Sequence, residues 1–110
     1  MTFGEKLKSL RLRTSLTLTE FCARHKLDPG NYSRLERGSP PPKDPADLEW
    51  YGTILGLRKG TKAMREFLDL AYAAQGRIPP DLMENEEFAT YLPTLFAHVR
   101  ADGMKVFNGE

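Results

Sequence analysis

The side chains with most chemistry to offer lie together in the run Asp28-Pro29-Gly30-Asn31-Tyr32-Ser33-Arg34-Leu35-Glu36-Arg37. Guanidinium, carboxamide and hydroxyl groups are donors suited to phosphate oxygens and to the acceptor atoms of guanine in a major groove. Wound at about 100° per residue, a helix beginning at Pro29 puts Tyr32 and Leu35 on one side and Gly30, Ser33, Arg34 and Arg37 on the other. The first side suits a core. The second is narrow and donor-rich, as a groove requires. Arginines on a surface helix are more often merely solvated, so the elements that hold this one decide the matter.

Other chemistries are poorly provided for. His25 and His98 are isolated, and Cys22 falls on the predicted inner face of its helix. His25 reads as a half-buried packing residue. Glu84, Glu86 and Glu87 resemble the acidic first turn of a helix, favoured by the macrodipole, more than a metal site. Gly56 and Gly60 lack the pattern of a phosphate-cradling loop. No catalytic residue, metal or cofactor is expected.

The elements around the donor run are punctuated clearly. Thr2-Phe3-Gly4-Glu5 has capping-box spacing, and Phe3, Leu7 and Leu10 recur as an apolar stripe, predicting a first helix over about Phe3–Thr14. Thr17-Leu18-Thr19-Glu20 repeats the box, with Leu16 and Phe21 as a hydrophobic staple, and opens a second helix ending near His25. Asp28-Pro29 opens the third, which runs to Arg37 with Gly38 as its stop. Asp44-Pro45 opens a fourth that closes at Gly56. Its residues Leu48, Tyr51, Gly52 and Leu55 fit an inward face, whereas Trp50, Ile54 and Leu57 form a second apolar stripe that the rest of the chain or a dimer must cover. A fifth helix from Thr61 to Gln75 carries Ala63, Phe67, Leu70, Ala71 and Ala74 on one face. Pro79-Pro80 breaks the chain, and a last helical stretch, Glu86–Arg100, is kinked or divided at Pro93 before a tail expected to fray after Gly103. No segment alternates long enough for a strand. An all-α chain is expected.

With 110 residues, 40% of them hydrophobic, the chain suits one compact domain. No apolar run approaches the roughly 18 residues of a membrane span, no secretory h-region is readable, and a lone cysteine points to a reducing cytoplasm. The formal charge of +1 conceals a division: residues 1–43 carry +5 and residues 44–110 carry −4. A basic front half suggests one face that meets a polyanion.

The second and third helices, joined through Lys26, Leu27 and Asp28, form a helix-turn-helix arrangement. Cys22 supplies the small residue at the crossing, Leu27 the apolar turn residue, and Tyr32 and Leu35 the anchors. Residues 3–57 resemble the lambda-repressor-like, XRE-type helix-turn-helix proteins. The resemblance rests on Phe3-Gly4-Glu5-Lys6-Leu7 with Arg11, on Leu16-Thr17 with Glu20-Phe21-Cys22, and above all on Asn31-Tyr32-Ser33-Arg34-Leu35-Glu36-Arg37-Gly38. It implies a lambda-repressor-like helix-turn-helix bundle over residues 1–57, with a helical extension over 58–110. It also implies that Arg34 reads bases, that the Asp28–Asn31 segment (Gly30 included) and Arg37 meet bases or phosphates with Thr17 and Ser33 beside them, and that Arg11 and Glu36 form a structural ion pair.

Three positions depart from the family pattern. Leu18 replaces a polar residue at the start of the second helix, Lys26 stands where a turn glycine is usual, and Pro29-Gly30 leaves the first turn of the third helix without side-chain donors. Fewer donors shift affinity toward phosphates and salt. The extension, with Phe67-Leu68-Asp69-Leu70-Ala71 and Gly76-Arg77-Ile78-Pro79-Pro80, resembles the C-terminal segment of some small XRE-type proteins, of which some act beside a toxin or a metallopeptidase. Two functions therefore stay open. One is a cytoplasmic, nucleoid-associated regulator, a repressor that binds double-stranded DNA as a homodimer formed through residues 58–110. The other is an antitoxin or similar module whose acidic extension binds a protein partner.

Overall fold

A computed structural model describes residues 1–107, with side chains through Asp102. Seven helices and no strand occur among the described residues, in two compact units, Met1–Arg77 and a second beginning at Ile78.

The first unit contains α1 (Phe3–Arg13), α2 (Leu18–His25), α3 (Pro29–Glu36), α4 (Pro45–Ile54) and α5 (Lys62–Ala74). Complete capping boxes open α1 and α2: the hydroxyls of Thr2 and Thr17 accept from the amides of Glu5 and Glu20, whose carboxylates accept in return from the threonine amides. Those bonds hold both glutamate carboxyls below their ordinary range. Asp28 and Asp44 cap α3 and α4, each ahead of a proline whose missing amide costs nothing there. After α3, Gly38 turns the chain at φ +113°, a conformation that favours glycine.

Phe3, Leu7 and Leu10 of α1 meet Phe21 and Cys22 of α2, Tyr32 of α3 and Leu48 of α4 in one core, closed by Met64, Phe67 and Ala71 of α5. The Phe3 and Phe67 rings lie 5.1 Å apart. Gly4 marks the closest approach of α1 to α3: a Cβ there would stand 2.6 Å from the Glu36 carbonyl oxygen and 2.7 Å from that of Leu35. Any side chain would force the two helices apart. Gly52 is packed differently, since its neighbour is the flexible end of Met64.

The fifth helix shows a different face from the one its alanines suggested. Ala63 and Ala74 are exposed, whereas Met64 and Tyr72 are buried with Phe67 and Ala71. Methionine and tyrosine remove far more apolar surface from water than alanine, so they set the rotation of the helix. Ile54 and Leu57 are half-buried against the core, while Trp50 stays 43% exposed with its ring edge-on to Tyr51. At the C-cap of α5, the Gln75 amide donates to the carbonyls of Pro41 and Pro42 at 3.2 and 2.7 Å. It thereby satisfies a proline loop that has no helical partners for its carbonyls. Consequently α5 belongs with the first four helices, and the compact unit extends well past residue 57.

The second unit contains α6 (Pro80–Met83) and α7 (Glu86–Phe107). Pro79-Pro80 does more than break the chain, because Pro80 occupies the first position of a helical turn. The Asn85 side chain accepts from the Phe88 amide at 2.9 Å and caps α7. α7 runs unbroken through Pro93 and on to Phe107; of the tail expected to fray, residues 108–110 lie outside the described residues.

Candidate nucleic-acid interface

The turn between α2 and α3 takes the left-handed conformation at Lys26 (φ 56°, ψ 43°), and the Leu27 amide donates to the Cys22 carbonyl at 2.8 Å. Cys22 is fully buried in the core at the helix crossing, and burial pushes its thiol pKa up. Leu27 and Leu18 are half-buried against the core, which gives the leucine at the start of α2 a packing role. The Phe21 ring lies tilted at 4.7 Å from the half-buried His25 ring and at 5.3 Å from that of Tyr32. Left-handed backbone costs a side-chain-bearing residue roughly 1–2 kcal/mol. Lys26→Gly removes that strain against a smaller entropic penalty, and should stabilise the protein by about 1 kcal/mol in urea unfolding. A less stable glycine variant would show that the Lys26 side chain, not the turn, matters here.

α3 is held from behind by Tyr32 and by an ion pair. Arg11 Nε donates to Glu36 Oε2 at 2.7 Å and Nη2 to Oε1 at 3.1 Å, while Nη1 reaches the Leu16 carbonyl at 3.3 Å. One guanidinium thus joins α1, the turn before α2, and the end of α3. Both side chains are less than a tenth exposed, and the hydrogen bonds that Arg11 donates to the Glu36 carboxylate push its pKa up. Beside them the Tyr32 hydroxyl is buried without a hydrogen bond of normal geometry; burial first, and the Glu36 charge second, push its pKa up.

The front of α3 is open. Asn31, Arg34 and Arg37 are exposed, with Ser33 half-buried between them. The Asn31 amide donates to the Asp28 carboxylate at 2.8 Å, and the Asn31 side-chain oxygen accepts from Arg34 Nη2. Arg34 therefore lies back along α3 toward its first turn. A Cβ at Gly30 would meet Arg34 Nη1 at an ordinary contact distance of 3.7 Å, so the arginine's place does not depend on the glycine. The first turn of α3, which carries no donor of its own at Pro29 or Gly30, is supplied with one from a turn below. Arg37 bends toward the Ser33 carbonyl at 3.4 Å. Asp28, Gly30, Asn31 and Arg34 thus form one cluster, Ser33 and Arg37 continue it, and Thr17 caps α2 with its hydroxyl engaged by the Glu20 amide. The Asn31–Arg34 bond escaped sequence reasoning, although the i, i+3 spacing is a signal for it.

A family model described as a helix-turn-helix domain matches residues 2–63. The chain belongs to this helix-turn-helix family. The family is typical of lambda-repressor-like XRE regulators that bind DNA and is typically non-enzymatic. The matched residues take in α1 to α4 and the start of α5, and so the whole of the ion pair and of the α3 front. Neither a curated protein nor a solved structure matches this helix-turn-helix protein. Among its described residues no cluster of His, Cys, Asp or Glu could hold a metal, and no helix is long and apolar enough to cross a membrane.

Proposed function

We propose that the protein is a sequence-specific transcriptional regulator, a repressor that binds double-stranded DNA as a homodimer with α3 of each copy in the major groove. The observation that carries this is the division of α3: Tyr32 is buried and Glu36 is tied to Arg11, while Arg34 and Arg37 are exposed. Arg34, steadied by Asn31, is the base reader, since a guanidinium can meet the two acceptors of guanine at once. Arg37, Ser33, Thr17 and the Asp28–Asn31 segment meet phosphates or base edges around it. One copy of so short a helix contacts too few base pairs to single out an operator. Two copies would read half-sites about 34 Å apart.

Selection of bound sequences from random DNA tests this directly. The expected result is a two-fold symmetric site with half-sites about one helical turn apart; an unenriched pool would overturn the proposal. Arg37→Ala should weaken binding to all sequences alike and reduce the salt slope by about 1 for each half-site. If it instead changes the selected bases, Arg37 reads sequence and its assignment to phosphate is wrong.

A further inference from the structure

The contact between Asn31 and Arg34 fixes more than one group. A guanidinium carries donors and no acceptor, so the Asn31 atom that meets Arg34 Nη2 is the carboxamide oxygen, and Asn31 Nδ2 is turned away from the arginine. Asn31 is itself held. The Asp28 carboxylate accepts from its backbone amide at 2.8 Å. The next residue, Tyr32, is 1% exposed in the core, with its own amide donating to the Asp28 carbonyl at 3.0 Å. The oxygen is therefore mounted on a capped and anchored turn, whereas Arg34 is exposed on a long side chain that phosphates on either side could draw away.

We infer that Asn31 is a positioning residue: its oxygen aims the Arg34 guanidinium at a guanine near the N-terminal end of α3, and it reads no base itself. The inference rests on the regulator reading above and deepens it. Recognition helices meet base edges with their N-terminal residues, and the contact draws Arg34 toward that end. An asparagine that reads adenine must accept from the adenine amino group through its oxygen while its nitrogen donates to N7. Here that would bring a second donor to an oxygen that already faces a full positive charge. Adenine is disfavoured at Asn31, and Nδ2 is left for a phosphate oxygen. The gain is conformational, since a side chain held beforehand has less freedom to lose when the duplex arrives.

The test compares the parent with Asn31→Ala, which removes the oxygen, and Asn31→Asp, which keeps an acceptor and removes Nδ2. Circular dichroism confirms that each variant keeps its helices. Each is titrated with the duplex that the parent selects, and with the same duplex after the guanine–cytosine pair that Arg34→Ala ceases to distinguish is changed to adenine–thymine. Asn31→Ala should lose about fivefold of preference for each half-site, on the order of twenty-five-fold for two, with a much smaller loss on random DNA. Asn31→Asp should keep the preference and bind every sequence more weakly, because its charge repels phosphates. In the Arg34→Ala background, Asn31→Ala should cost no further preference. In the free protein, nitrogen relaxation of the Arg34 Nε–H group should show a restrained guanidinium in the parent and in Asn31→Asp, and a mobile one in Asn31→Ala. A parent guanidinium as mobile as that of Asn31→Ala overturns the inference. So does an alanine variant that keeps its preference, or an aspartate variant that loses it. Preference lost at a base pair other than that of Arg34 overturns it too, and makes Asn31 a reader in its own right. A parent that selects no site is a different failure: it removes the regulator reading, and this inference with it, whatever the relaxation shows.

Discussion

Glu36→Gln is expected to lose about 3–5 kcal/mol of unfolding free energy, because it leaves the Arg11 guanidinium buried beside a neutral group that cannot balance it. Arg11→Met should cost a similar amount, through the stranded carboxylate of Glu36. The double variant Arg11→Met, Glu36→Leu should recover most of the loss, since replacing both members of a buried pair by apolar groups is often near neutral. Guanidinium unfolding with linear extrapolation measures all three, and the cycle isolates the coupling. Single losses below about 1 kcal/mol would mean that the pair behaves as a surface bridge. The size of the effect follows from geometry: two charge-assisted hydrogen bonds at 2.7 and 3.1 Å between side chains that water hardly reaches. With total stabilities of roughly 5–15 kcal/mol, such a loss leaves little in hand. DNA binding should fall with it.

The second large effect concerns discrimination. Arg34→Ala is expected to erase the preference for a selected site over random DNA while leaving the fold intact, as Arg34 is exposed and hydrogen-bonds the exposed Asn31. A bidentate arginine–guanine contact is worth about 1–3 kcal/mol of discrimination. Two half-sites make the expected loss on the order of a hundredfold. Arg34→Lys is the informative control, because it keeps the charge and gives up the planar fork. It should retain non-specific affinity and lose most of the preference. An alanine variant that selects the same site as the parent would remove Arg34 from the reading role, and with it the main support for a sequence-specific regulator.

Much of the scaffold was legible because its signals are local. Thr2, Thr17, Asp28 and Asp44 each announce a helix start within a few residues of themselves, and the helices begin there. Tyr32 was readable as a core anchor because helix 3 has so few apolar residues to choose from. The failures are tertiary. Ala63 and Ala74 looked apolar enough to face inward, but Met64 and Tyr72 compete for the same side and are larger. Gly4 is legible only as part of the capping-box run and the family motif, since nothing in its neighbourhood of sequence reveals that the carbonyls of Leu35 and Glu36 press against it. At the interface, Pro29 and Gly30 looked like a gap in the donor array. Only the backward reach of Arg34, with Asn31 as its support, shows how that gap is filled.

The side-chain amide of Gln75 fastened to Pro41 and Pro42 makes the folded unit longer than its helix-turn-helix motif. Cutting the chain after α4 would strip Phe67 from Phe3 and release the loop that leads out of α3, whereas a cut near Arg77 follows the boundary of the compact unit. Grafting this domain onto another protein means carrying its fifth helix along.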